Sequence, residues 1–211
     1  MPGEHQKLNA ALALATVETL QGIIPVSDAA VRTGLETVNW PGRLQLVTLP
    51  NGRRFLLDGA HNVAGANALR EALSSGTLKR ELQRAGSETG APQQCTLILG
   101  VLQDKDWRHI CETLAPMAAR IFTVPVASER TAAEHELAVA CRAANPAAEI
   151  AASDSLRNAL DRAAGDCFIV VTGSLYLVGE TLELLGLSPA TADERALNEW
   201  NAHSQSLPAS G

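Results

Sequence analysis

Asp58, His61 and Asn62 lie in the stretch Leu57-Asp58-Gly59-Ala60-His61-Asn62, directly after the apolar run Phe55-Leu56-Leu57. An Ala- and Leu-rich segment of helical character follows. A buried strand that ends this way delivers a carboxylate and an imidazole into a tight loop at a helix N-terminus. Free backbone N–H groups and the helix dipole favour anions there, so the position suits ribose hydroxyls, phosphates or a metal–phosphate group. Asp58 or Asn62 would serve as well as an ordinary helix cap, and spacing alone leaves both readings open.

Two other polar stretches follow candidate strands. Gly100-Val101-Leu102-Gln103-Asp104-Lys105-Asp106 follows Cys95–Leu99, and Thr172-Gly173-Ser174 follows Cys167–Val171. In open α/β sheets ligands bind beyond the carboxyl ends of the strands, so all three loops can face one crevice. Asp104 and Asp106 also fit capping of a helix that opens at Trp107. Ser174 fits capping of the next helix, a role compatible with anion binding. Lys105 alone reads as a solvated lysine. Arg43, just after the Pro41-Gly42 turn, would be a strong clamp beside a phosphate, although a lone arginine more often meets only solvent. His5 and Asn9 are one helical turn apart and share a face. His109, His135 and His203 suggest no role.

These groups need a scaffold. Residues 6–20 are strong helix formers, stopped by Gly22 and Pro25. A second helix is expected from Ser27 to Leu35, capped by Ser27 and stopped near Gly34. Trp40-Pro41-Gly42 is a turn and a domain boundary. Leu44–Leu49 and Arg53–Leu57 read as strands around Pro50-Asn51-Gly52. Strands are then expected at Cys95–Leu99, Ile121–Val124, Glu149–Ala152 and Cys167–Val171. Helices are expected at Ala64–Leu73, Trp107–Ala118, Ala132–Ala143, Ser155–Ala163 and Leu175–Leu185. Alternating strands and helices imply an α/β, Rossmann-like, mostly parallel sheet with helices on both faces. Residues 84–94 read as a polar surface loop, and Ala192–Trp200 as a last helix before a frayed tail.

The 211 residues suffice for one large or two small domains. With 46% hydrophobic and 19% charged residues the chain is globular rather than disordered. Its net charge of -6 and three lysines argue against a nucleic-acid-binding surface. The cysteines Cys95, Cys111, Cys141 and Cys167 show no metal-ligand or redox spacing, so core thiols in a reducing cytoplasm are expected. No signal peptide and no membrane-spanning apolar run is present. A phosphate loop of the form G-x-x-x-x-G-K-[ST], a G-x-G-x-x-G fingerprint, H-E-x-x-H and G-x-S-x-G are all absent from the chain.

Five segments in order resemble the folylpolyglutamate synthase/dihydrofolate synthase family of ATP-dependent Mur-type ligases. His5-Gln6-Lys7-Leu8-Asn9 is similar to that family's H-Q-x-x-N segment, and Trp40-Pro41-Gly42-Arg43 to its W-P-G-R. Asp58-Gly59-Ala60-His61-Asn62 is similar to its D-G-A-H-N, Asp104-Lys105-Asp106 to its D-K-D, and residues 172–179 to its T-G-S-x-Y-x-V-G. Val63 stands where the family usually has Pro, which should touch only the helix start.

The resemblance implies three regions: 1–37 as the helical end of a central ATPase domain, 38–190 as a Mur ligase C-terminal domain, and 191–211 as a helix with a frayed tail. It implies ligation of L-glutamate to folate or dihydropteroate through an acyl phosphate, with ATP and Mg2+. Asn9 would contact adenine, Arg43 the ATP phosphates, Asp58 the ribose hydroxyls, His61 the phosphates or acyl phosphate, and Ser174 the incoming glutamate. His61 and Lys105 are the expected catalytic positions. The phosphate loop, the magnesium ligands and most of the folate pocket are expected upstream of Met1, on an N-terminal ATPase part or a separate chain. Alone, the chain is expected to be inactive. The competing expectation is a stand-alone module that kept the fold, lost catalysis, and binds a nucleotide or a protein.

Overall fold

The computed structural model of the chain describes residues 5–38, 40–74, 78 and 95–188. The expected polar loop at 84–94 and the expected helix and tail at 191–211 lie outside these residues.

The chain opens with two helices, α1 (His5–Leu20) and α2 (Asp28–Thr37). Ser27 caps α2 by accepting the Ala30 N–H at 3.2 Å. Gly34 does not stop α2; the helix runs through it to Thr37, where the Val38 N–H closes the last turn on the Gly34 carbonyl. No described side chain from Gln6 to Val38 is fully buried.

Strands β1 (Gln45–Thr48) and β2 (Arg54–Asp58) form an antiparallel hairpin, with Gln45 opposite Leu57 and Thr48 opposite Arg54. Gly52, with φ 84°, makes its tight turn. The rest alternates: α3 (Val63–Ser74), β3 (Cys95–Leu99), α4 (Trp107–Leu114), β4 (Ala118–Thr123), α5 (Glu134–Ala144), β5 (Glu149–Ala152), α6 (Leu156–Arg162), β6 (Phe168–Thr172) and α7 (Leu175–Leu184). The six strands lie in the order β1-β2-β6-β3-β4-β5, and every pair except β1–β2 is parallel.

Central strands buried on both faces read as near-continuous apolar runs, as β3 and β6 do apart from Thr96 and Thr172. One face packs Leu56, Leu97, Leu99 and Val170 under α3, α4 and α5 through Leu69, Ile110 and Leu137. The other packs Phe55, Ile98, Phe122 and Val171 under α6 and α7 through Leu156, Leu177 and Leu182. The expected α/β sheet with helices on both faces is therefore the fold.

Besides the end of α2 and one-residue offsets elsewhere, two junctions differ from expectation. The helix from Trp107 stops at Leu114 rather than Ala118, because Pro116 lacks an N–H and forces a short 3-10 turn at Ala115–Met117. Residues 118–120 thereby join β4. Asn145 clamps this junction by donating to the carbonyls of Ala115 and Ala118 at 2.8 and 3.0 Å. The helix expected from Ala132 starts at Glu134, because the Ala132 N–H is spent on the Val101 carbonyl and Thr131 bridges to Leu102.

Below the sheet, at the strand N-termini, Arg120 Nη1 donates to Asp166 at 2.7 Å and Arg120 Nε to Glu149 at 3.2 Å. The Thr96 hydroxyl donates to Asp166 at 2.8 Å. This network ties β3, β4 and β5 to the start of β6 at the end opposite the polar loops. Three cysteines are core thiols, but Cys167 is exposed. Burial pushes the Cys95 thiol up to about 12. Hydrogen bonding with Cys141, together with burial, also raises Cys111. Such thiols stay protonated and inert.

Candidate functional site

The carboxyl ends of β2, β6 and β3 lie side by side. Asp58 is opposite Thr172, and Thr172 is opposite Leu99. The three loops singled out above therefore leave the sheet at one edge, as the crevice rule requires. Helices α3 and α7 begin there, on opposite faces of the sheet.

Glycines set how closely the loops approach. Gly173 has φ 103°, and a Cβ there would collide with the Gly100 carbonyl oxygen. A Cβ on Gly59 would run into Leu175, the first residue of α7. At Gly173 the obstacle is backbone, whereas at Gly59 it is the Leu175 side chain. The Thr172 hydroxyl donates to the Ala60 carbonyl at 3.5 Å, and the Gly100 N–H to the Thr172 carbonyl at 3.2 Å.

Asp58 is buried, 7% exposed. Its Oδ2 accepts the Leu44 N–H at 2.8 Å and its Oδ1 the Ala60 N–H at 2.9 Å. The Gly59 N–H donates to the Gly42 carbonyl at 2.8 Å. His61 is half-buried, and its Nδ1 is 2.8 Å from the Gly59 carbonyl. In the tautomer with the proton on Nδ1 this is a donated bond, which leaves Nε2 as an acceptor. Asn62 caps α3, accepting the Gly65 N–H at 2.8 Å. Of the two candidate caps, Asn62 and not Asp58 caps α3.

Ser174 is buried and caps α7; its Oγ accepts the Tyr176 N–H at 3.2 Å. On the third loop Asp106 caps α4, accepting the His109 N–H at 3.4 Å and pairing with His109 Nδ1 at 2.9 Å. Asp104 takes no capping role; it pairs with Lys105 Nζ at 2.9 Å and, more distantly, with Arg130. Hydrogen bonding from Lys105 holds the Asp104 carboxyl below its usual range. Lys105 is accordingly a paired, half-buried lysine and not a freely solvated one.

Arg43 precedes β1 and does not open it. Its guanidinium lies 5.9 Å from the ring centre of Trp40. Trp40 in turn lines a groove of about 1090 Å³ between α1 and α2, together with Asn9, Leu14, Val31 and Leu35. Asn9 donates to Gln6 at 3.0 Å across one turn of α1. Asn9 and Trp40 thus line one groove and Arg43 lies against Trp40, while Asp58, His61 and Ser174 gather at the strand ends.

A family model described as "Dihydrofolate synthetase, C-terminal domain" matches residues 45–184. The chain belongs to the folylpolyglutamate synthase/dihydrofolate synthase family. It is 32% identical over 207 residues to the dihydrofolate synthase/folylpolyglutamate synthase of Mycobacterium tuberculosis, covering 89% of this chain and 39% of that protein. It is 28% identical over 180 residues to the enzyme of the same name from Bacillus subtilis, covering 84% of this chain and 38% of that protein. A solved structure of the Mycobacterium tuberculosis folylpolyglutamate synthase, described as complexed with ADP, superposes with a TM-score of 0.70 at 30% identity. It aligns with 89% of this chain and 41% of that one. The chain thus spans about two fifths of the relatives it matches.

In this synthetase domain the D-G-A-H-N and T-G-S segments are neighbours, joined by the glycine contacts above. Two features of the edge were not apparent from residue types. One is Leu44, whose φ of 44° is left-handed. The other is Trp40, which is a groove wall and the partner of Arg43 as well as a turn residue. The neighbouring Pro41-Gly42 turn was the only signal for either.

Proposed function

We propose that the chain supplies part of the active site of an ATP-dependent ligase that adds L-glutamate to folate or dihydropteroate. The observation that carries this reading is the alignment of three loops at adjacent strand ends, with helix N-termini arriving from both faces. Such an edge gathers N–H donors where phosphate charge can be held without bulk water.

In this scheme ATP phosphorylates a substrate carboxylate. The glutamate amine then attacks the acyl phosphate, and inorganic phosphate leaves as the amide forms. Arg43 takes phosphate charge, Asp58 faces the ribose, and Asn9 reaches the adenine. His61 serves the phosphates or the acyl phosphate, and Ser174 helps hold the incoming glutamate. Lys105, paired with Asp104, is the second candidate catalytic group. Positioning and charge neutralisation are the main contributions a protein makes to such a transfer.

Mg2+ accompanies ATP in this reading. Among the described residues no group of three or more His, Cys, Asp or Glu could hold a metal ion. The family resemblance assigns the magnesium ligands, the phosphate loop and most of the folate pocket to an N-terminal ATPase part. Residues 1–37 belong to that part and 38–190 form the C-terminal domain. Neither a membrane nor a nucleic acid enters the scheme, and the cytoplasm is its proposed location; among the described residues no helix is long and apolar enough to cross a membrane.

The test is assembly of the chain with a phosphate-loop-bearing N-terminal part from the family. Glutamate-dependent phosphate release from the assembled pair, lost with Arg43→Ala, is the expected result. An assembled, folded pair that releases no phosphate with either folate or dihydropteroate would overturn the proposal.

A further inference from the structure

Arg43 sits between two left-handed residues, Gly42 at φ 75° and Leu44 at φ 44°. Glycine tolerates this conformation, but a leucine Cβ makes it unfavourable. Leu44 is the one non-glycine residue with positive φ among the described residues. Both flanks of Arg43 are tied to the end of β2: the Gly42 carbonyl accepts the Gly59 N–H at 2.8 Å, and the Leu44 N–H donates to Asp58 Oδ2 at 2.8 Å. The Gly42 N–H is also held, by Gln45 Oε1 at 2.8 Å. A Cβ on Gly42 would press on Val178 of α7, so this turn is wedged against the second loop helix.

We infer that Asp58 is the positioning residue for Arg43, holding Leu44 left-handed so that the guanidinium is kept over Trp40. A buried carboxylate that accepts from two backbone N–H groups in separate segments fixes those segments relative to each other. The other oxygen does the same for the loop that carries His61, through Ala60. One side chain thereby sets the spacing between Arg43 and His61. What Arg43 then grips rests on the nucleotide reading above; the positioning itself does not.

The test has two arms on the full chain. In the first, NMR follows the Leu44 amide and the cross-peaks between the Arg43 side chain and the Trp40 ring. Asp58→Asn puts an amide NH2 where one N–H needs an acceptor. It should speed Leu44 exchange at least tenfold and remove the Arg43–Trp40 cross-peaks, while Ile98 and Val170 amides stay protected. Leu44→Gly, which removes the conformational penalty, should restore the cross-peaks in the Asp58→Asn background. Should Asp58→Asn lose the core signals, Asp58→Glu serves instead, since its longer arm displaces the carboxylate from both donors. Unchanged cross-peaks would overturn the inference.

In the second arm ADP is titrated into the chain and its variants. Asp58→Asn and Arg43→Ala should each weaken ADP about tenfold, and the double variant should be no weaker than about twofold beyond either. Asp58→Asn keeps an oxygen that can accept a ribose hydroxyl, so its effect on ADP reads the route through Arg43; multiplying effects would mean that Asp58 does not act through Arg43, which overturns the inference. Absence of ADP binding by the wild-type chain would count against the nucleotide reading alone, and the NMR arm would still decide the positioning.

Discussion

Gly173 meets the carbonyl of Gly100 so closely that a single methyl group cannot be placed between them. This contact locks the loop after β6 to the loop after β3 and sets where Ser174 and α7 begin. A Cβ at Gly173 faces both a φ of 103° and a rigid backbone oxygen.

Gly173→Ala should therefore cost more than Gly52→Ala, whose φ is 84° but whose surroundings are open. Strained φ alone costs about 1–3 kcal/mol, and overpacking a tight site typically adds about 1–3 kcal/mol. Urea unfolding of the two variants checks this. Equal destabilisation would mean that the loop contact has no weight.

Arg120 and Asp166 are part-buried, with side chains 29% and 20% exposed. Asp166→Asn should destabilise the chain by about 1–3 kcal/mol, the range for a charge-assisted hydrogen bond, with solvent screening favouring the lower end. Because the network lies at the opposite end of the sheet from the loops, ADP affinity should not change. A shift in urea midpoint with unaltered ADP titration is the expected pair of results.

The Asp106–His109 pair predicts a pH dependence. Hydrogen bonding to Asp106, and then the charges of Asp106 and Glu112, raise His109 above the ordinary histidine value of 6.5. The same bond lowers Asp106 below 3.8. For the raised histidine, the stabilisation is complete below 6.5 and is lost as pH rises through its elevated midpoint. For the lowered carboxyl, it is complete above 3.8 and is lost as pH falls through the depressed midpoint. The pair thus supports α4 fully from roughly pH 4 to 6.5. An NMR titration should give His109 a midpoint above 6.5 that drops in Asp106→Asn.

In an assembled enzyme, Arg43→Ala should raise the ATP requirement roughly ten- to a hundredfold, with Arg43→Lys recovering only part. Ser174→Ala should cost about 1 kcal/mol of stability through the lost cap, and raise the glutamate requirement with little effect on ATP. Steady-state kinetics with each substrate varied in turn separates the two. An Arg43→Ala variant altered only in glutamate dependence would reverse the assignment.

The chain by itself, without a phosphate loop in its sequence, should release no phosphate from ATP with folate and glutamate present. Limited proteolysis should remove α1 and α2, which bury no described side chain fully, and leave a core that starts near Trp40. Uniform resistance from His5 onward would show instead that the two helices are integral to the folded unit.

Strand positions were legible because apolar runs bounded by turns have few alternatives; Cys95–Leu99 and Glu149–Ala152 match to the residue. Residue types carry the helix from Trp107 to Ala118 and leave Ala119 and Arg120 out of the strand, because only the tertiary clamp from Asn145, together with Pro116, ends the helix early. The strand-end residues Asp58, His61 and Ser174 were legible from local pattern. What Asp58 bonds to was not, since its partner Leu44 lies across the hairpin and belongs to no motif of residue types. Gly59 and Gly173 were visible as glycines, but their neighbours across the sheet were not.

Among the described residues β6 is the last strand in sequence, and it sits in the middle of the sheet between β2 and β3. A nascent chain that has emerged only as far as β5 therefore lacks its central piece. Both β2 and β3 then present bare apolar edges, separated by the width of one missing strand, for as long as synthesis of residues 153–172 takes. Folding of this domain has to finish from the inside, by insertion, and loop closure over more than a hundred residues precedes the reward for pairing β2 with β6. Chains interrupted before Phe168 would expose two unpaired templates for strand addition at once, which makes them the species most prone to aggregate.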